Sequence, residues 1–172
     1  MQLALNEKAH EEMIQRALPE ARRFVWIATA DLKDMHLRRG RRYVSILVLL
    51  AELIGRGVEV RLLHAKEPGP RFRADFDRHP EFLTSERFER LLCPRNHMKT
   101  IIVDGKIAYV GSANLTGAGL GAKKDNRRNF EAGIITRERA SVSGIMDAFD
   151  AIFMGEHCAG CGRRDVCPDP IL

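Results

Sequence analysis

The sequence predicts an α/β domain, strands and helices alternating along one chain. Three observations carry this. Apolar or alternating runs of strand length occupy residues 24–28 and 58–62, separated by a segment of helical character. Asp104-Gly105 joins two more apolar runs, and this pair favours a two-residue hairpin because both turn positions want φ > 0. A last stretch, Val142, Ile145, Met146, Phe149, Ile152 and Phe153, keeps helical spacing.

In chain order, residues 6–18 read as a helix. Ala9, Met13, Ile14, Ala17 and Leu18 share one face, Asn6 can cap, and Pro19 punctuates. Residues 24–28, FVWIA, form a compact apolar strand. Residues 43–54 predict a mostly buried helix that Gly55 and Gly57 end. Val58, Val60 and Leu62 alternate with Glu59 and Arg61, the pattern of a half-buried strand. Residues 65–90 hold Pro68, Gly69, Pro70 and Pro80 and predict an irregular connection, with at most a short helix near 72–78. Strands follow at about 98–103 and 106–110, then a Gly-rich and basic loop over 117–129 and a strand over 130–135. No internal repeat is visible, and residues 155–172 have no apolar periodicity.

At 172 residues the chain is one domain's worth. A hydrophobic fraction of 45% with 30% charged residues excludes a disordered or fibrous protein. The longest apolar stretch, residues 44–53, is about half a membrane span, so no membrane insertion is expected. The first residues are acidic and lack an apolar signal core, which predicts a cytoplasmic protein. The net charge is +5, and Arg outnumbers Lys 21 to 7. Arg pairs bidentately with phosphate and stacks on bases, so the bias favours phosphate-bearing partners.

Residues 97–114 read HMKTIIVDGKIAYVGSAN. His97 and Lys99, two apart on a predicted strand, point to one face. An imidazole can serve as nucleophile or general acid near neutral pH, and a neighbouring ammonium stabilises an oxyanion. The return strand ends at Gly111-Ser112-Ala113-Asn114, where small residues let backbone N–H groups approach an anion. The hairpin brings that end back beside His97 and Lys99.

The string satisfies H-x-K-x4-D-x6-G-S-x-N without a gap. It resembles the signature of the phospholipase D superfamily, and the likeness extends upstream to IGRGVEVRLL and downstream to NRRNFEAGIIT. The resemblance implies a phospholipase D-like fold, a mixed β-sheet flanked by helices. It implies that His97 is a nucleophile forming a phosphohistidine, that Lys99 and Asn114 hold phosphate oxygens, and that Ser112 contacts the intermediate or orients the histidine. Glu131 would orient His97 through its other ring nitrogen, with Asn129 a polar neighbour. Asp104 would be chiefly structural, in agreement with its place in the turn.

One full copy of the motif is present, whereas this chemistry needs two histidines, one attacking and one protonating the leaving oxygen. A homodimer with a shared site is therefore expected. His64-Ala65-Lys66 repeats the His-x-Lys spacing, but Arg71 stands at the Asp position and no Gly-Ser-x-Asn follows. Single-copy members of the superfamily are mostly nucleases, so a phosphodiesterase cutting nucleic acid is the expected function. Arg22, Arg23, Lys123, Lys124, Arg127 and Arg128 are the expected nucleic-acid contacts. A hydrolase or transferase acting on phospholipid or another small phosphodiester is one alternative. A nucleic-acid-binding module without turnover is another.

Residues 1–155 are thus expected to form the catalytic domain and 156–172 a cysteine-rich tail packed on it. Cys158, Cys161 and Cys167 follow C-x2-C-x5-C, and Cys93 lies four residues before His97. Clustering of this kind in an intracellular chain suggests a metal more than disulfides. A structural zinc on Cys93, Cys158, Cys161 and Cys167 is favoured, His157 being a substitute ligand. The spacing also resembles the iron–sulfur staple of some recombination and CRISPR-associated nucleases, so a 4Fe–4S cluster is the alternative. A closed four-ligand site leaves no open position, and the histidine chemistry calls for no catalytic cofactor.

Overall fold

A computed structural model describes residues 1–120, 123 and 125–171. The described residues form nine strands in chain order: β1 Gln2–Leu5, β2 Phe24–Thr29, β3 His36–Arg39, β4 Arg42–Ser45, β5 Glu59–His64, β6 Phe88–Leu92, β7 Thr100–Val103, β8 Ile107–Gly111 and β9 Ala132–Thr136. Seven of them make one sheet in the order β1-β9-β8-β7-β2-β5-β6, and β3 with β4 forms a separate hairpin. The β2, β5 and β6 strands run parallel, while β7, β8, β9 and β1 add antiparallel pairings. The sheet is therefore mixed, in an α/β fold.

Both faces are covered. On one side lie a π-type helix, His10–Ala17, and α1, Ile46–Gly55. Met13, Ile14, Leu49 and Leu53 from these helices share a core with Val25, Ile27, Val60 and Tyr109 of the sheet. On the other side α4, Arg139–Phe153, sets Val142, Phe149 and Phe153 against Trp26, Ala28, Ile102 and Ala108. Successive residues of a strand face opposite ways, so a strand covered on both faces must be apolar throughout. That is why FVWIA shows no alternation.

The structure departs from the sequence-based expectation in several places. The apolar run from residue 43 is not all helix. Residues 42–45 pair with β3, and Ser45 caps α1 by accepting a hydrogen bond from the Leu47 N–H at 3.0 Å. The stretch 65–90 is more ordered than its prolines suggest. It holds α2 Pro70–Phe76, α3 Pro80–Thr84 and the edge strand β6, organised by the stacked rings of Phe72, Phe76 and Phe82, against which the Phe88 ring is tilted. Asn6 does not cap the first helix. It adopts φ 49° and its side chain accepts the Glu131 N–H at 3.1 Å. The strand expected from residue 130 begins at Ala132, and Phe130 is 97% exposed. The hairpin turn is as expected, with φ 55° at Asp104 and 66° at Gly105. Among the described residues no helix is long and apolar enough to cross a membrane.

Candidate active site

The ends of the middle strands gather at one rim of the sheet. Thr29 closes β2 beside His64 of β5, Thr100 opens β7 beside Ala28, and Gly111 of β8 lies opposite Gly133 of β9. In mixed sheets of this kind, sites form outside such strand ends.

His97 and Lys99 fall in the extended segment just before β7 and not within a strand. They nevertheless share one side, because the Lys99 Nζ donates to the His97 carbonyl oxygen at 2.8 Å and lies 3.4 Å from His97 Nδ1. His97 is exposed, whereas Lys99 is buried. Burial holds the Lys99 ammonium below its usual pKa, and the Glu131 carboxylate opposes that shift. The pair is aimed by Asn96, which is itself buried. Its Nδ2 donates to the carbonyls of Thr29 at 3.0 Å and Leu63 at 3.4 Å, and its Oδ1 accepts the Met98 N–H at 3.1 Å. The turn before His97 is thereby fixed to β2 and β5.

The return strand arrives through the Gly111 N–H, which donates to the Lys99 carbonyl at 3.1 Å. Beyond it the Ser112 hydroxyl donates to Glu131 Oε2 and accepts the Ala132 N–H at 3.0 Å. Asn129 Nδ2 donates to the other Glu131 oxygen at 3.2 Å. Both oxygens of Glu131 are thus held by Ser112 and Asn129. The contact expected between Glu131 and His97 is not formed, and Nδ1 of His97 faces the Lys99 ammonium. Asn114 Oδ1 accepts from the Asp31 N–H at 3.0 Å, the Ala30 N–H at 3.1 Å and the Thr29 hydroxyl at 3.3 Å. Only the oxygen of an amide can accept these bonds, so the Nδ2 donors lie on its opposite side. Tyr109 packs beneath this rim, its hydroxyl accepting the Ala113 N–H at 3.3 Å. Its ring occupies the space that a Cβ at Gly111 or Gly133 would need, which explains why glycine stands at both.

Three of the residues singled out in the sequence lie elsewhere. The Asp104 carboxylate accepts the backbone N–H groups of Arg22, Arg23 and Phe24 at 2.8 to 3.2 Å. That places Asp104, Arg22 and Arg23 at the Phe24 end of β2, a six-residue strand whose other end is at the rim. At about 3.3 Å per residue the separation is on the order of 17 Å. Asp104 therefore cannot touch what His97 touches, and Arg22 and Arg23 do not border the same groove. Lys123 and Arg128 instead border a cleft of about 640 Å³ whose lining includes His10, His36, Arg38 and Tyr43 and not His97. Arg128 also pairs with Glu7 at 3.0 Å. Arg127 is exposed in a short 3₁₀ turn, and Lys124 lies outside the described residues.

His64 of the second His-x-Lys is fully buried, its Nδ1 2.8 Å from the Lys66 carbonyl oxygen. Cys93, Cys158, Cys161 and Cys167 are half-buried and form no disulfide. Among the described residues no three His, Cys, Asp or Glu side chains stand close enough to hold a metal ion, so the expected zinc knuckle is not preformed. Sequence reasoning missed Asn96, Thr29 and Tyr109. Asn96 could have been noticed from its place next to His97. Thr29 and Tyr109 look like ordinary strand residues until the strands are paired.

A family model described as "Cardiolipin synthase, PLD-like domain" matches residues 14–153. The chain belongs to this phospholipase D-like family. Among solved structures it is similar to NucT from Helicobacter pylori, with 17% identity over 88% of this chain and 95% of that one and a TM-score of 0.63. It is also similar to a phospholipase D family member, Nuc from Salmonella typhimurium, at 15% identity, 88% and 92% coverage and a TM-score of 0.63. Phosphatidylserine synthase from Haemophilus influenzae shares the fold at 14% identity and a TM-score of 0.58, over 88% of this chain and 38% of that one. No curated protein matches the chain.

Proposed function

We propose that the protein is a phosphodiesterase that cleaves nucleic acid through a phosphohistidine, in a site shared by two copies of the chain. The observation that carries this is the exposed His97 set against the buried Lys99, with Asn114 and the Ser112–Glu131 pair on the neighbouring loops. The His97 imidazole attacks phosphorus and one P–O bond breaks. The leaving oxygen takes its proton from the equivalent histidine of the second copy. Water then attacks the phosphohistidine, giving a proton to the second copy's histidine, and the P–N bond breaks to free the imidazole. Lys99 and the Nδ2 group of Asn114 hold the phosphate oxygens as charge shifts onto them. Burial lowers the Lys99 pKa, and Glu131, fixed by Ser112 and Asn129, opposes that shift.

Two observations support the dimer. The one other histidine with a lysine two residues on, His64, is buried and cannot meet a substrate. In addition, Leu3, Ile134 and Val110 stand in cross-strand register on the face that α4 covers elsewhere, and they are 64%, 42% and 40% exposed. This apolar row beside Ser112 and Glu131 suits a second copy of the chain. The Arg excess favours a polyanion as substrate. The deciding experiment is turnover on single-stranded DNA, duplex DNA, RNA and phosphatidylcholine vesicles. Cleavage of a nucleic acid is expected. Turnover of the vesicles alone would move the substrate to lipid, and no turnover of any would leave a binding module.

A further inference from the structure

We propose that Cys93, Cys158, Cys161 and Cys167 ligate one metal centre through four thiolates, and that this centre fastens the C-terminal tail to the turn that bears His97. The proposal is independent of the substrate reading.

The tail's packing is the first argument. Among the described residues from 154 to 171 none is buried. The half-buried positions recur every third residue from Gly155 through Cys158, Cys161 and Arg164 to Cys167. A segment that folds onto a domain ordinarily turns Leu, Ile or Val inward. Here three of the seven half-buried positions are cysteine and one, Ile171, is a large aliphatic, while Val166 points out at 72% exposure. The tail is nonetheless tied down. Asp169 accepts the Leu92 N–H at 2.8 Å, and a Cβ on Gly155 would run into Ile171.

Convergence is the second argument. All four cysteines line one small pocket of about 20 Å³, together with Pro94 and Pro170. That volume holds about one small atom and no buried side chain. The Cys161 N–H donates to the Cys158 carbonyl at 3.2 Å, which sets these two cysteines on one tight turn. The sulfurs are not gathered to ligand distance, and gathering them calls for rotation of the cysteine side chains about χ1 between staggered positions. The surroundings also suit the charge. Four thiolates around a doubly positive centre leave about two negative charges, and Arg95, Arg163 and Arg164 border the pocket.

The link to the site is short. Cys93 donates its N–H to the His64 carbonyl at 2.9 Å and accepts the Asn96 N–H at 2.8 Å. A centre on Cys93 therefore braces the turn whose Asn96 aims His97. It positions His97 and does not touch the reacting atoms.

Zinc and an iron–sulfur cluster share this ligand chemistry, and metal analysis separates them. The full chain is purified with and without oxygen, and metal, visible absorption and titratable thiols are measured. A pocket for one small atom suits a single ion, so we expect about one zinc per chain and few free thiols, whereas about four irons with broad visible absorption would overturn the single-ion site. Each of C93S, C158S, C161S and C167S should lose most of the metal and melt lower, while His97→Ala keeps both. A metal-free chain with four titratable thiols, prepared without oxygen, would overturn the proposal whatever the variants do. Full metal in C93S would overturn the tie to the His97 turn.

Discussion

Replacing Asp104 separates a structural aspartate from a catalytic one. Its carboxylate, 8% exposed, accepts three backbone N–H groups at the start of β2. Each donor left without a partner costs roughly 1–3 kcal/mol, and the lower end applies where water can partly enter. Asp104→Ala therefore costs about 3 kcal/mol in hydrogen bonds. The left-handed backbone, φ 55°, adds about 1 kcal/mol for a residue with a Cβ and no local hydrogen bond. At roughly 2–4 °C per kcal/mol for a domain this size, Tm should fall by about 8–16 °C. Asp104→Asn tolerates the same φ and keeps one acceptor oxygen, so about half of that loss is expected. Thermal melting gives the first number. Turnover of bis(p-nitrophenyl) phosphate, measured well below both melting points, gives the second and should stay within about twofold, because the charge lies a strand's length from His97. A loss of a hundredfold or more with an unshifted Tm would refute the structural assignment.

Four other outcomes follow from the site. Inactive His97→Ala chains mixed and refolded with active ones should yield heterodimers of very low activity, and full activity of an isolated monomer would remove the shared site. The Lys99 ammonium is needed charged and its pKa lies below the usual 10.5, so the alkaline limb of the kcat profile should fall before that pH; Glu131→Gln removes the opposing charge and should move the limb lower still. Burial holds His64 below its usual 6.5, so the unfolded chain takes up a proton that the folded chain refuses; stability is full above about 6.5 and declines as pH falls toward the folded value, and denaturant titrations of His64→Asn should show a shallower acid limb. Neutralising Lys123 and Arg127 together should lessen the salt slope of nucleic-acid binding by about 1–2 and spare the small substrate, and an unchanged slope would make that loop a solvated face.

Much of this was readable because the information is local. Asp104-Gly105 specifies its own turn, so the hairpin and the return of Ser112 toward Lys99 needed no knowledge of the rest of the chain. The FVWIA run and the spacing from Val142 to Phe153 reflect burial that each segment shows by itself. What stayed hidden depends on distant partners. Tyr43 to Ser45 read as helix because they open an apolar run, and only the pairing with β3 makes them strand. Phe72, Phe76, Phe82 and Phe88 are scattered through polar sequence and become a cluster only when folded. Arg22 and Arg23 looked like groove residues by charge alone. The direction of β2 carries them to the wrong end, and charge says nothing of direction. The reach of Asn96 to Thr29 and Leu63 spans 67 and 33 residues, which no local pattern reports.

The pairing of β1 with β9 has a consequence for how the molecule comes together. Residues 2–5 find their partners at 132–135, and Asn6 secures Glu131 from both its backbone and its side chain. The sheet can therefore be completed only after some 130 residues have been made, and closing so long a loop is slow relative to local contacts. During synthesis the first strand waits unpaired, with Leu3 and Leu5 apolar and accessible. The carboxylate that supports Lys99 comes into place when the first strand docks. Deleting residues 2–6 should then leave a chain that keeps its parallel core and loses the order of the rim, so a segment synthesised long before the rim is among the last to matter for chemistry.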